Sequence, residues 1–384
     1  MNKGTHTLRG IHYQTGLPIR VTIGQGSIVA VEETGGGKTD EWPVIAPGLF
    51  DIQVNGFMGV DFNDDGLTAG QVESACLALL ERGVTGFFPT IITGPVERTT
   101  RLLGVFAQAL RAPGLAEQMI RGIHLEGPFI CREDGPRGAH PRAYCLDPDP
   151  ELLKRWQGAS GGLVRIVTLA PELPGSESLI RTCRAAGMVV GIGHTSAGSE
   201  KIRMAADAGA TLSTHLGNGA HNMLPRHPNY IWDQLAEERL FASMIADGFH
   251  LPDAVLKVFI RMKQEQAILI SDSMMYSGMA PGRYTSPATG DVRLTPEGKL
   301  HMEGEPGTLA GSASMLLDGV RKISGLEGFS FAWNMASIHP STLLNEPAKG
   351  GIAPGAPADL VLLKKRGTEI AITSVVKAGK HYPA

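Results

Sequence analysis

Apolar, β-branched runs alternate with segments of helical periodicity from residue 49 onward. The first helical segment has five apolar residues at the spacing of a helix that covers a sheet: Val72, Ala75, Cys76, Leu79 and Leu80. The segments 199–208 and 252–262 have the same periodicity. Eight runs resemble strands: 50–54, 86–91, 121–126, 164–169, 188–194, 211–215, 242–246 and 267–272. This alternation predicts an α/β fold, and eight strands over about 230 residues favour a (β/α)8 TIM-type barrel over a doubly wound sheet.

The two ends of the chain have a different pattern. Residues 5–47 and 340–384 contain short alternating segments interrupted by glycine and proline, with little helical periodicity. We therefore predict a small flanking β domain, sandwich-like, formed by residues 1–47 together with 340–384, and a barrel formed by residues 48–339. The glycine-rich stretch 35–39 resembles a phosphate loop, but Glu32 occupies the position of its first glycine, so a surface turn is the favoured interpretation.

Composition and charge favour a folded protein with a substantial core. The chain has 384 residues, of which 42% are hydrophobic, and its formal net charge is only -3, so the signature of disorder is absent. Basic residues form no runs, which argues against nucleic-acid binding. No apolar stretch approaches the length of a membrane span, and the first residues lack the apolar core of a signal peptide. Because the four cysteines also lack paired spacing, we expect a cytoplasmic protein with reduced thiols.

Four ionisable residues end strand-like runs, and each is followed by a loop signal. Glu126 ends the third run, His194 the fifth, His215 the sixth and Asp272 the eighth. Reactive groups of a barrel belong at the carboxyl ends of its strands, where loops enclose a substrate. Two neutral imidazoles and a carboxylate are a common ligand set for catalytic Zn²⁺ or a similar ion, with one position open for water. Asp272 would then serve as the general base.

Each of these residues also has a purely structural interpretation. A single histidine in an apolar strand is often a hydrogen-bonded core residue, and Glu126 would be satisfied by a buried arginine. An aspartate at a strand end is often the cap of the following helix. The coincidence of four such groups at one barrel face favours the metal site.

Several motifs in this order resemble the N-acetylglucosamine-6-phosphate deacetylases of the amidohydrolase superfamily. They are the segments 124–129 (His-Leu-Glu-Gly-Pro-Phe), 193–195 (Gly-His-Thr), 214–218 (Thr-His-Leu-Gly-Asn), 247–250 (Asp-Gly-Phe-His) and 271–272 (Ser-Asp). The likeness extends over nearly the whole chain, from Ala46 to Val361. The resemblance implies that the barrel of residues 48–339 is a metal-dependent hydrolase, with a β domain built from both termini.

The resemblance implies one divalent metal per chain, held by Glu126, His194 and His215, with Asp272 as acid and base. Zinc is the favoured ion, with iron, manganese or cobalt as alternatives. Many amidohydrolases have His-x-His at the end of the first strand for a second metal, but this chain has Gln53-Val54-Asn55. We therefore expect the single-metal type. Gln53 would line the metal site through water or act as a hydrogen bonder at a strand end.

The resemblance also implies a substrate site. His140 matches a histidine that assists at the carbonyl or the sugar, although an exposed loop histidine is the alternative. Arg226 and His250 match the residues that grip a sugar phosphate, and the arginine is offered by a neighbouring subunit, which implies a homodimer. The intervening loop departs from the family pattern: Asn218 is followed by Gly219 instead of alanine, and two additional histidines occur, His221 and His227.

The expected reaction is removal of the acetyl group from an N-acetylated amino sugar phosphate, converting N-acetylglucosamine-6-phosphate and water into glucosamine-6-phosphate and acetate. The altered loop leaves open other N-acyl substrates, such as an unphosphorylated or different amino sugar, a cyclic amide or an N-acyl-D-amino acid. A catalytically silent barrel that serves as a scaffold is a third hypothesis, because fold does not fix function.

Overall fold

The structure of the protein is a computed structural model that describes residues 4–35, 42–286 and 290–384. Apart from Gly35, the predicted glycine-rich turn at 35–39 lies outside these residues. Four strands come first: β1 (His6–His12), β2 (Pro18–Gly24), β3 (Ser27–Glu33) and β4 (Val44–Pro47).

The barrel elements follow. They are β5 (Leu49–Val54), β6 (Gly56–Phe57), β7 (Val60–Asp61), α1 (Ala69–Glu81), β8 (Val84–Ile92), α2 (Val96–Ala109), α3 (Leu115–Met119), β9 (Ile123–Glu126), α4 (Pro150–Ala159), β10 (Val164–Leu169), α5 (Ser176–Ala185), β11 (Val189–Ile192), α6 (Ser199–Ala208), β12 (Leu212–Ser213), α7 (Tyr230–Ala236), β13 (Phe241–Ile245), α8 (Asp253–Lys263) and β14 (Ala267–Ile270). The remaining elements are β15 (Gly282–Ser286), β16 (Gly290–Leu294), β17 (Leu300–Met302), β18 (Glu305–Leu309), α9 (Leu316–Glu327), α10 (Phe329–Met335), α11 (Ile338–Leu343), β19 (Leu360–Arg366), β20 (Glu369–Lys377) and β21 (Lys380–Pro383). Single 3-10 turns occur at Arg142–Tyr144, Gln264–Gln266 and Pro347–Gly350.

The predicted eight-stranded barrel is confirmed. Its strands lie in the order β5-β8-β9-β10-β11-β12-β13-β14, and each neighbouring pair is parallel. The first and last strands meet just beyond the end of β14, where Val54 forms a parallel bridge with Ser273 and Asn55 N donates to Ser273 O at 2.8 Å. Residues of β5 and β14 are buried throughout, as expected for parallel strands covered on both faces.

Helix α1 illustrates how the local sequence specifies the outer layer. Its amino terminus is closed by a capping box in which Thr68 and Gln71 satisfy each other's backbone N–H groups. Its buried residues are the five that the periodicity predicted: Val72, Ala75, Cys76, Leu79 and Leu80.

A second sheet draws strands from both termini, with the order β21-β20-β19-β4-β1-β2-β3. Its apolar side includes Val21, Ile23, Ile45, Leu360 and Val376, all buried. Strand β4 joins the two halves because it pairs with β1 on one side and with β19 on the other. The flanking β domain from both ends is therefore observed, whereas its exact boundaries at residues 47 and 340 stay a prediction.

The sequence analysis did not anticipate the antiparallel sheet of β15 to β18, which lies within the region assigned to the barrel. This sheet follows the loop after β14 and has its own small core of Tyr276, Val292, Leu294 and Leu300. Its strands are three to five residues long, too short to give a clear alternating pattern.

Candidate metal centre and active site

Glu126, His194 and His215 converge at the carboxyl end of the barrel. Nε2 of His194 lies 3.1 Å from Oε1 of Glu126, and Nε2 of His215 lies 2.7 Å from the same oxygen. The two Nε2 atoms are 3.1 Å apart. All three side chains are buried. The arrangement brings three ligand atoms to one point from β9 and from the loops after β11 and β12.

The hydrogen bonding of His194 indicates that this point suits a cation. Nδ1 of His194 lies 2.9 Å from the carbonyl oxygen of Pro136, which can only accept, so Nδ1 carries the proton. In the neutral ring, Nε2 then directs a lone pair at the Glu126 carboxylate. Lone pairs that face each other in a buried site are stabilised by a positive ion between them, and the carbonyl fixes the ligand tautomer. The residues therefore fit a divalent metal ion.

The protonation balance of the site depends strongly on Glu126. Burial alone would raise the pKa of Glu126, but its hydrogen bonds with the two imidazoles, and the charge of those imidazoles when they are protonated, hold it well below its usual range. Burial alone would lower the pKa of His215, but the hydrogen bond and the charge of Glu126 raise it. The ionised Glu126 carboxylate is thus the group with which both imidazoles interact.

Three of the four predicted residues have an unusual backbone conformation. His194, His215 and Asp272 adopt φ values of 50°, 32° and 47°, in the left-handed region that L-residues rarely occupy. Each lies two residues beyond the end of its strand. Such conformations cost about 1–3 kcal/mol each and tend to occur at functional sites. The sharp turns aim the side chains over the barrel instead of into its wall.

Asp272 is held where the barrel closes. Its backbone N donates to Gln53 O at 3.1 Å, and its Oδ1 accepts a hydrogen bond of 2.7 Å from Nδ2 of Asn55. Burial and the negative charge of Glu126 raise the pKa of Asp272. An aspartate with a raised pKa is a better proton acceptor than one at the surface.

Gln53 contacts the candidate metal ligand Glu126 directly. Its Nε2 donates to Oε1 of Glu126 at 3.0 Å, and its side chain is buried. Gln53 therefore acts as a hydrogen-bond donor to the predicted metal ligand Glu126. The sequence analysis did not single out Asn55 as a site residue; its position directly after β5 was the available signal.

His140 also joins the cluster, from the loop after β9. Its ring centroid lies 4.3 Å from that of His194, and ligand atoms of Glu126, His140 and His194 lie within 4.8 Å of one another. The side chain is buried, and Nδ1 has no hydrogen-bond partner among the described residues. Burial lowers the pKa of His140 to about 3, with a smaller contribution from repulsion by His194 in its protonated form. The alternative interpretation, an exposed loop histidine, is wrong.

Asn218 and Gly219 lie in the loop that follows His215. The Asn218 backbone N donates to His215 O at 2.9 Å, and its buried Nδ2 lacks a partner among the described residues. Gly219 has φ of 55°, and a Cβ there would lie only 2.8 Å from Nδ1 of His194. A side chain at this position would therefore displace the His194 ring in this structure.

The two predicted phosphate ligands have different environments. Nδ1 of His250 lies 2.6 Å from Oδ2 of Asp247, which fixes the ring in a half-buried position. Arg226 is exposed and makes no hydrogen bond or ion pair with the described residues. The structure therefore orients His250 and leaves Arg226 at the surface of its loop.

The additional histidine His221 connects two loops of this face. Its backbone N donates to the Tyr230 hydroxyl at 2.8 Å, and its Nε2 lies 3.2 Å from Oε2 of Glu133. Glu133 belongs to the loop that carries His140. No signal in the sequence predicted this pairing of loops, because the two residues are 88 positions apart.

Comparison with known proteins defines the class of this protein. A model of the amidohydrolase family matches residues 44–381. The chain therefore belongs to the amidohydrolase family.

Its relatives are more specific. N-acetylglucosamine-6-phosphate deacetylase of Bos taurus is 36% identical over 334 residues, covering 83% of this chain and 79% of that protein. N-acetylgalactosamine-6-phosphate deacetylase of Escherichia coli O157:H7 is 30% identical over 351 residues, covering 90% of each. A structure of an N-acetyl-D-glucosamine-6-phosphate deacetylase variant from Mycobacterium smegmatis, in complex with N-acetyl-D-glucosamine-6-phosphate, has 30% identity and a TM-score of 0.85, and the match covers 98% of this chain and 99% of that one.

These relatives confirm the predicted resemblance to the N-acetylglucosamine-6-phosphate deacetylases. The protein is a hydrolase of amide C–N bonds, and the scaffold hypothesis has no support from the relatives. Among the described residues, no helix has the length and apolar character of a membrane span.

Proposed function

We propose that this protein hydrolyses the acetamide of N-acetylglucosamine-6-phosphate, and that Glu126, His194 and His215 hold the single metal ion that the reaction requires. The observation that carries the proposal is the convergence of two imidazole nitrogens on one carboxylate oxygen, at 2.7 and 3.1 Å. A bound divalent ion acidifies water and polarises the carbonyl of an amide. Zinc is the favoured ion for this donor set, with iron, manganese or cobalt as alternatives.

The residues around the metal ligands supply the remaining chemistry. Asp272 takes a proton from the attacking water and returns it to the departing amine, because an amine leaves readily only when it is protonated. His140 stands beside His194 and donates to the developing negative charge on the carbonyl oxygen. Gln53 holds the Glu126 carboxylate in place through its N–H group.

Substrate binding involves the loop after β12 and the segment after β13. Asn218 and Gly219 line the sugar site, and His250 and Arg226 bind the phosphate, for which the planar guanidinium supplies two charge-assisted hydrogen bonds. The exposed position of Arg226 suits a role in the site of a second copy of the chain, which supports a homodimer. A cytoplasmic location stays a prediction.

A different amino sugar is the second candidate substrate. The altered loop at 217–229 and the similarity to an N-acetylgalactosamine-6-phosphate deacetylase support this alternative. Unphosphorylated sugars and N-acyl-D-amino acids are further alternatives that keep the same metal chemistry.

The test is a panel of N-acetylated amino sugars, each with and without the 6-phosphate, in which free amine and acetate are measured. We expect a large preference for N-acetylglucosamine-6-phosphate, and loss of that preference in Arg226→Ala. The neighbouring His227→Ala provides a matched control in the same loop. Equal turnover of the phosphorylated and free sugars would contradict a phosphate site, and release of no amine from any sugar would exclude the amino sugar substrates.

A further inference from the structure

The Asn55 side chain holds the carboxylate of Asp272 across the seam of the barrel, where the end of β5 meets the residues that follow β14. Its Nδ2 lies 2.7 Å from Oδ1 of Asp272, a short distance typical of a hydrogen bond to a charged acceptor. Among the described residues, no other side chain donates to this carboxylate within hydrogen-bond distance. The orientation of the Asp272 side chain therefore depends on one amide.

The chemistry of the partners fixes which end of the amide faces Asp272. An ionised carboxylate only accepts hydrogen bonds, so the amide must present its NH₂ group. Gln53, two residues earlier and within β5, presents its own NH₂ group to Glu126 at 3.0 Å. The end of β5 thus offers one N–H donor to each of the two carboxylates of the site.

We propose that Asn55 is a positioning residue for amide hydrolysis: it holds Oδ1 of Asp272 so that Oδ2 faces the reacting water. This inference rests on the proposed role of Asp272 as the base. A carboxylate without a partner rotates about its terminal torsion and spends part of its time with neither oxygen directed at the water. A fixed hydrogen-bond donor keeps the carboxylate in one orientation, so the activation free energy no longer includes the cost of orienting it.

The backbone of Asn55 contributes to folding independently of its side chain. Its N donates to Ser273 O at 2.8 Å, and its O accepts from Phe62 N at 2.9 Å, which together tie β5 to the seam and to the following turn. Both bonds persist when the side chain is replaced. Substitutions at this position therefore report mainly on the hydrogen bond to Asp272.

The experiment compares Asn55→Ala and the nearly isosteric Asn55→Asp with wild type in the metal-loaded full-length protein. We expect kcat to fall about 10- to 100-fold, the usual effect of removing a group that orients a catalytic residue, while KM and metal content change less than about threefold. Asn63→Ala is a matched control, because the Asn63 side chain bonds only backbone groups, Thr90 O at 3.0 Å and Ile92 N at 2.9 Å. It should lower the melting temperature and leave kcat unchanged.

A double variant, in which Asn55→Ala is combined with Asp272→Asn, decides whether Asn55 acts through Asp272. In the Asp272→Asn background, Asn55→Ala should cause no further loss of the residual turnover, and a second loss of the same size would overturn the proposal. Wild-type kcat in both Asn55 variants would overturn it as well. If wild type prefers another N-acyl sugar, the proposed substrate fails, and the same comparison is made on the preferred one. Crystal structures supply a readout without turnover: an unchanged Asp272 carboxylate in Asn55→Ala would contradict the proposal.

Discussion

At the amino-terminal end of the barrel strands, the Glu346 carboxylate is paired with Arg121 and Arg165, whereas at the carboxyl-terminal end the Glu126 carboxylate faces two histidines. Both carboxylates are buried. Oε2 of Glu346 accepts two hydrogen bonds from Arg121, at 2.8 and 3.0 Å, and its charge is fully compensated. The cluster at Glu126 includes histidine nitrogens without partners among the described residues.

The difference shows how one fold separates stability from chemistry. Buried polar groups without partners cost free energy, so several of them around one point indicate a place where a ligand would satisfy them. Nine buried side-chain atoms of the described residues lack a partner, and those of Asn55, His140, His215 and Asn218 lie together at the carboxyl-terminal end of the barrel. At the amino-terminal end, His339 is satisfied by Ala267 O at 2.7 Å and Trp333 by Pro47 O at 2.8 Å. Substitutions at the two ends should therefore separate activity from stability.

Removal of the metal should have the largest effect. We expect turnover to fall to background after dialysis against a chelator and to return with one equivalent of Zn²⁺ per chain, because Asp272 and His140 alone cannot activate water for attack on an amide. Metal analysis together with acetate release measures this. Full turnover of protein shown to be free of metal would refute the proposed centre and remove the contrast between the two ends.

The next largest effect is expected for Asp272→Asn. The isosteric amide cannot take a proton, so kcat should fall about 10²- to 10⁴-fold, the range of general acid–base catalysis, while metal stays bound. Because burial and Glu126 raise the pKa of Asp272, wild-type kcat should decline as the pH falls through that raised pKa. The measurement is a pH profile of kcat with metal analysis of both proteins. Turnover near that of wild type would exclude Asp272 as the base.

Substitution at the opposite end should reverse the pattern. Glu346→Gln removes a buried charge from Arg121 and Arg165, and we expect the free energy of unfolding to fall by about 1–3 kcal/mol with kcat unchanged. Denaturant unfolding and steady-state kinetics test this. Glu177→Gln, which breaks the exposed ion pair with Arg181, is the matched control and should change stability by less than about 1 kcal/mol. A loss of kcat in Glu346→Gln would show that the two ends are coupled.

The smallest effect is a pH dependence of stability at Lys263. Its Nζ donates to Glu237 O at 2.7 Å and Leu240 O at 2.9 Å, just before β13, and burial lowers its pKa to about 8. The folded state therefore releases the proton at lower pH than the unfolded chain, whose lysine pKa is about 10.4. Between these values the unfolded state binds more protons, so the contribution of Lys263 to stability rises with pH.

Lys263→Met should lack this contribution. We expect the stability of wild type to rise relative to the variant between pH 8 and 10 by about 1–2 kcal/mol, measured by denaturant unfolding at each pH. Lys154→Met, at an exposed position of α4, should keep the pH dependence of wild type. Parallel curves for wild type and Lys263→Met would show that Lys263 is not responsible for the pH dependence.

Residues that follow a hydrophobic periodicity or stand at the end of a strand could be predicted from the sequence. The buried face of α1 follows from spacing, because a helix returns to the same face every three to four residues. Glu126, His194, His215 and Asp272 could be found because parallel strands bring their carboxyl ends to one edge. The short sheet β15 to β18 was missed because strands of three to five residues give too few alternations to recognise.

The contacts between loops were beyond prediction from the sequence. His221 and Glu133 meet across 88 residues, and nothing in their own segments indicates the partner. The same holds for Asn55 and Asp272, which are 217 residues apart and meet only because β5 and the end of β14 close the barrel.

The sequence by itself therefore determined the class of fold and the type of chemistry, and it predicted four ionisable site residues, because periodicity and strand-end position are local properties. Only the tertiary structure decided how these residues are oriented. The left-handed turns at His194, His215 and Asp272, the carbonyl of Pro136 and the amides of Gln53 and Asn55 fix each functional group. The side-chain contacts among them join residues that are distant along the chain and that no local pattern connects, and closure of the barrel brings Asn55 to Asp272.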